Sequence, residues 1–123
     1  MMTSEKSRVI VAEHAGRPVG FAVVEVERLR VAAFGPWKAP AVARLDAIAI
    51  DPAKQGNGAG RQLLEEAERV AREEGGVVMT LMTAFTNRAA RELFQSGGYL
   101  PLTELERRYG NGDGAIEMFK LIG

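Results

Sequence analysis

The chemistry most legible in this chain lies in the run Gln55-Gly56-Asn57-Gly58-Ala59-Gly60-Arg61. It separates an apolar segment, Leu45-Asp46-Ala47-Ile48-Ala49-Ile50, from an amphipathic stretch that begins near Gly60. A strand that breaks into glycines just before a helix leaves several backbone N–H groups pointing at one spot. The positive end of the helix dipole adds to them, and the result is a phosphate site. Side chains able to move a proton nearby are few. Asp46, in the strand ahead of the glycines, is the candidate base, and Tyr109, in a late loop, the candidate acid. His14, the single histidine, falls in a turn and reads as a surface residue. With no cysteine, disulfides, thiolate metal sites and cysteine nucleophiles are excluded. No metal site is expected.

These residues need elements to hold them. Arg8 to Glu13 and Val19 to Glu27 read as two strands around the turn cluster His14-Ala15-Gly16-Arg17-Pro18, a hairpin. Phe21, Val23 and Glu25 then share one face, and Ala22, Val24 and Val26 the other. The segment from Ala33 to Pro40 holds a glycine and two prolines and is a loop. Val42 to Asp51 is the strand before the glycine run, on which alternation places Asp46 with Arg44 and Ile48. From Gly60 to Glu74, Leu63, Leu64, Ala67, Val70 and Ala71 mark one buried helical face. Glu65 with Arg69 and Glu68 with Arg72 are expected as pairs on its outer side. Val77 to Ala84 is a buried strand, and Asn87 caps a second helix with Ala89, Ala90, Leu93 and Phe94 facing inward. Tyr99 to Leu105 and Ala115 to Ile122 are the last strands. Met79, Met82 and Met118 read as core fillers. The order implies a single α+β domain over residues 1–123, its sheet parallel at the centre.

Composition narrows the partners. The 16 basic and 16 acidic residues balance, which argues against a general nucleic-acid binder. No apolar run approaches a membrane span and the first residues lack the apolar core of a signal peptide, so no membrane partner and a cytoplasmic location are expected.

The glycine run is not a Walker A loop, because Arg61-Gln62 follows Gly60 where Lys and Ser or Thr are required. It also lacks the spacing of a dinucleotide fingerprint. Its wider context, Ile48 to Leu64, resembles the signature of the GNAT superfamily of N-acetyltransferases, Q/R-x-x-G-x-G/A, met by Gln55, Gly58 and Gly60. A second segment of that family, N-x-x-A-x-x-[LF]-[YF] leading to G-[FY], is met by Asn87 through Phe94 and by Gly98-Tyr99. The resemblance implies a mixed sheet with a splayed central parallel pair and flanking helices, the family's first strand and first two helices being missing or minimal here. It implies acetyl-CoA as cofactor. Its diphosphate would lie on the N–H groups of Gln55, Gly56, Asn57, Gly58, Ala59, Gly60 and Arg61. Its pantetheine arm would pair with Ile48, Ala49 and Ile50, flanked by Asn87 and Ala90, and Arg91 would reach the nucleotide end.

The activity so implied is acetyl transfer to a primary amine, of a small molecule or a peptide. A backbone N–H near Ile48 can stabilise the oxyanion, and a thiol of pKa ~8.5 leaves without much help. The catalytic side chains depart from the pattern. Ribosomal-protein alanine acetyltransferases, which the segment after Glu106 resembles, carry a glutamate base where this chain has Met82 and a tyrosine acid where it has Phe94. The histone-type enzymes place a glutamate at the position of Arg44. Asp46 and Tyr109 are what remains. A non-catalytic acyl-CoA-binding regulatory module is therefore the alternative, and a protein-interaction domain that only borrowed the fold ranks after it. The acceptor side is expected to be open, or else closed by the loop around Trp37 or by a second subunit in a homodimer.

Overall fold

The computed structural model describes residues 2–30, 40–54, 58–104 and 114–123. The hairpin β1 (Met2–His14) and β2 (Arg17–Arg30) turns at Ala15 and Gly16, both at positive φ, which matches the twist of the two strands. β3 (Ala41–Ile50) leads through a 3-10 turn, Pro52–Lys54, towards α1 (Ala59–Glu73). β4 (Gly76–Ala84), α2 (Arg88–Ser96), β5 (Leu100–Glu104) and β6 (Ala115–Leu121) follow. The strands form one sheet in the order β1-β2-β3-β4-β6-β5, in which only the β3–β4 pair is parallel. This is the α+β architecture expected from the sequence, and its strands run longer at the N-terminal end than the apolar runs alone indicate. Among the described residues no helix is long and apolar enough to cross a membrane.

α1 packs on one face of the sheet. Leu63, Leu64, Ala67 and Ala71 meet Ala22, Val24 and Val26 of β2, Ala41, Ala43 and Leu45 of β3, and Met79 and Leu81 of β4. The many alanines let helix and sheet approach closely. α2 joins the same core through Phe94, set edge-on to Tyr99 with ring centroids 6.0 Å apart. No described helix covers the opposite face, where Val9, Val11, Phe21, Val42, Met82 and Leu121 are exposed. Met82 is thus a surface residue, whereas Met79 and Met118 are buried as expected.

Glu68 corrects a second expectation. It is buried, and it faces Tyr99 and Lys120 instead of pairing with Arg72 on the outside of α1. Arg69 pairs with Glu66 and Glu73, not with Glu65.

Candidate functional site

Two strands that part make the site. β3 and β4 pair from Ala41 and Gly76 as far as Leu45 and Leu81. Beyond that point β3 stays on β2 up to Ile50, and β4 stays on β6 up to Ala84, with no further ladder between them. The cause is local. Val24 faces Leu45 and Val23 faces Ala47, so Asp46 is one residue too many on β3, a bulge. A bulge bends its strand and raises its twist, and this one follows directly on the last β3–β4 pair.

The bulge also switches faces. Ala41, Ala43 and Leu45 are buried under α1, whereas past the bulge Ile48 and Ile50 are the residues packed on that core. Asp46 therefore shares the open face with Arg44 but not with Ile48, against the simple alternation. Its Oδ1 accepts a hydrogen bond from Arg44 Nε at 2.6 Å, and the same guanidinium pairs with Glu25. The bond to Asp46 is the main cause that holds the Arg44 pKa above its ordinary value, with partial burial working against it.

A cleft of about 680 Å³ opens between the free end of β3 and the two helices. Ile48, Ala49, Ile50, Gly58, Gly60, Arg61, Asn87 and Ala90, all singled out in the sequence, line it together. Ala59 stands beside it as the first residue of α1. Ala89, Leu93 and Ser96 also line it. They were missed as cleft residues because helical spacing makes Ala89 and Leu93 look like core. The burial of Phe94 shows that the core-facing stripe is narrower. Arg91 turns away. Its Nη1 donates to the carbonyl of Phe85 at 3.0 Å, and its guanidinium lies 4.7 Å from the centre of the Phe85 ring. Gln55, Gly56, Asn57 and Tyr109 lie outside the described residues, as does the loop around Trp37.

The floor of the cleft is suited to an anion. Gly58, the N-cap of α1, has φ 86 and offers no side-chain cap, and the first turn contains no acidic residue. The first intrahelical bond is donated by Gln62 N to Gly58 O, so the N–H groups of Ala59, Gly60 and Arg61 have no acceptor within the helix. A Cβ on Gly58 would meet nothing within 4 Å, and one on Gly60 would touch Leu93 Cδ2 at 3.4 Å, where α1 and α2 come closest to the cleft. Arg61 Nη2 donates to Ser96 O at 2.9 Å and ties the start of α1 to the end of α2. Asn87 Oδ1 accepts from Ala90 N at 3.1 Å and caps α2 at the cleft wall.

A parted parallel pair, with a helix N-terminus at the foot of the gap, leaves two strand edges and the first N–H groups of α1 facing one cleft. Residues 2–99 match the family model "Acetyltransferase (GNAT) family", and the chain belongs to that family. It is 28% identical over 98 residues to the uncharacterized N-acetyltransferase YhfO of Bacillus subtilis, covering 80% of this chain and 62% of that one. The chain thus spans less than two thirds of the length of this relative. Among solved structures it resembles Chaetomium thermophilum Naa20 in complex with a bisubstrate analogue: TM-score 0.72, 26% identity, 91% of this chain and 64% of that one. It also resembles the ribosomal-protein-S18-alanine N-acetyltransferase of Escherichia coli: TM-score 0.73, 26% identity, 95% of this chain and 70% of that one.

Proposed function

We propose that the chain binds acetyl-CoA in this cleft and transfers the acetyl group to a primary amine by direct attack. The observation that carries this is the coincidence of two features. The gap past Leu45 and Leu81 is shaped for an extended arm, and the start of α1 beside it offers a diphosphate three N–H groups that have no acceptor within the helix. Ala59, Gly60 and Arg61 would grip the diphosphate, and Ile48, Ala49 and Ile50 would flank the arm. The bound thioester supplies an activated acetyl group. A backbone N–H near Ile48 would receive the developing oxyanion, at no cost in reorganisation. Asp46 and Tyr109 remain the sequence-derived candidates for proton transfer. The acceptor is a small-molecule or peptide amine, and a second subunit walling its side is part of the same reading.

Calorimetric titration with CoA tests the binding half. Ala89→Trp places an indole in the cleft from an exposed helical position, so the fold tolerates it. The expected result is CoA binding by the wild type and at least a tenfold loss in the variant, with an unchanged melting temperature. Equal affinity in both would remove the cleft from consideration.

The second reading, an acyl-CoA-binding module without turnover, is favoured by one observation. The position of the family's acid is Phe94, which is buried in the core. Acetylation of any amine in a panel of polyamines, aminoglycosides, amino acids and short peptides excludes it.

A further inference from the structure

We infer that Glu117 is the general base for the acceptor amine, acting from the strand next to the one on which position 82 lies; this rests on the acetyl-transfer reading above. The argument begins with direction. The cleft is lined by α1 and α2, so the thioester enters the gap from the helical face of the sheet. The amine must then reach it from the open face. On that face the first β4 residue past the last β3–β4 pair is Met82, which is half exposed and cannot accept a proton. Directly opposite Met82 in the antiparallel β4–β6 register stands Glu117. Such partners project from the same face with Cβ atoms about 4.5–5.5 Å apart, within the reach of a glutamate.

Glu117 is unlike the other carboxylates near the gap. Asp46 and Glu25 are both engaged by Arg44. Among the described residues the Glu117 side chain has no ion pair or hydrogen bond. Its same-face neighbours on β6 are Ala115 and Phe119. The charged groups on the open face around it are Glu25, Arg44 and Asp46 across the gap, whereas Lys120 and Glu68 belong to the helical face. A half-buried carboxylate flanked by Ala115 and Phe119 on its own strand, with Met82 opposite on β4 and Thr103 opposite on β5, stands beside the gap where it can take a proton.

The step balances as follows. Glu117 accepts one proton from the ammonium form of the acceptor. The free amine attacks the thioester carbon, a C–N bond forms, and the oxyanion rests on backbone N–H. Collapse breaks the C–S bond, and the thiolate departs with the electron pair and takes the second nitrogen proton. Glu117 returns its proton to solvent.

The test uses the full chain with acetyl-CoA and four acceptors: spermidine, kanamycin, lysine and an alanine-first tetrapeptide. Thiol release is followed from pH 6 to 9. For Glu117→Gln we expect CoA affinity within twofold of wild type by calorimetry and kcat lowered about 100-fold. Met82→Glu added to that variant should recover at least a tenth of the wild-type rate, since it returns a carboxylate to the strand bordering the gap. Turnover by Glu117→Gln within threefold of wild type across the pH range overturns the assignment. So does loss without rescue that is accompanied by weaker CoA binding or a lower melting temperature, because that marks a structural role. Wild type that binds CoA but acetylates none of the four defeats the acetyltransferase reading itself and the assignment with it.

Discussion

Asn87 joins the fold and the site in one side chain. It caps α2 through Ala90 N and lines the cleft from the same position. Asn87→Ala should cost about 1 kcal/mol in denaturant unfolding, the usual loss for a removed cap. CoA affinity should fall as well, because the first turn of α2 forms the cleft wall. An unchanged unfolding midpoint would show that the cap carries no energy here. Gly58 shows the same economy at the other wall. Its left-handed φ is open to glycine at little cost, and as the N-cap of α1 it puts no side chain of its own beside the first N–H groups of the helix. Arg91 is the opposite case. Its charge suggests a ligand contact, yet its bonding belongs to Phe85 and the approach to α2.

At the scale of elements, the cleft depends on where β3 goes after Leu45. Gly20 of β2 faces Ile50, and a Cβ there would meet Ala49 O at 2.6 Å and Ile50 Cδ1 at 2.7 Å. The neighbouring backbone cannot yield by that much without moving the end of β3. Gly20→Ala should therefore destabilise the domain by about 1–3 kcal/mol, the range for overpacking. It should also weaken CoA binding in samples that are still fully folded at the assay temperature. Retained stability and retained affinity together would mean that β3 has slack at this end. The bulge at Asp46 works on the same strand by a different route, since one extra residue both bends β3 away from β4 and reverses which of its residues see the core.

The whole molecule is tied across its layers by Glu68, Tyr99 and Lys120. Tyr99 Oη donates to Glu68 Oε2 at 2.8 Å, and Lys120 Nζ reaches Glu68 Oε1 at 2.9 Å and lies 5.7 Å from the centre of the Tyr99 ring. Burial, then the Glu68 charge and the hydrogen bond to it, push the Tyr99 phenol far above its ordinary pKa. Below about pH 10 both folded and unfolded chains keep that proton. Above it the unfolded chain releases the proton while the folded chain retains it, so stability falls as pH rises from about 10. Tyr99→Phe should lower stability at neutral pH by about 1–2 kcal/mol, because it leaves a buried carboxylate oxygen unpaired. The gap between the two proteins should then narrow between pH 9 and 11, read from urea midpoints. A gap independent of pH would remove the phenol as its cause.

Local signals settled a good part of this protein. The glycine run, the cap at Asn87, the apolar stripe of α1 and the turn cluster from His14 to Pro18 are each written in consecutive or helically spaced residues, so strand and helix order and most of the cleft lining could be read from them. What depended on register could not. No glycine or proline announces the extra residue at Asp46, because a bulge is a mismatch between two strands and exists only once they pair. Glu68 looked solvated because its partners come from an aromatic residue and a lysine far along the chain. Met82 looked like core because its strand is apolar, and only the sheet shows which face has no helix over it. The pairing of Met82 with Glu117 is of the same kind: residues distant in sequence become neighbours through a ladder, and that ladder is decided by tertiary structure alone.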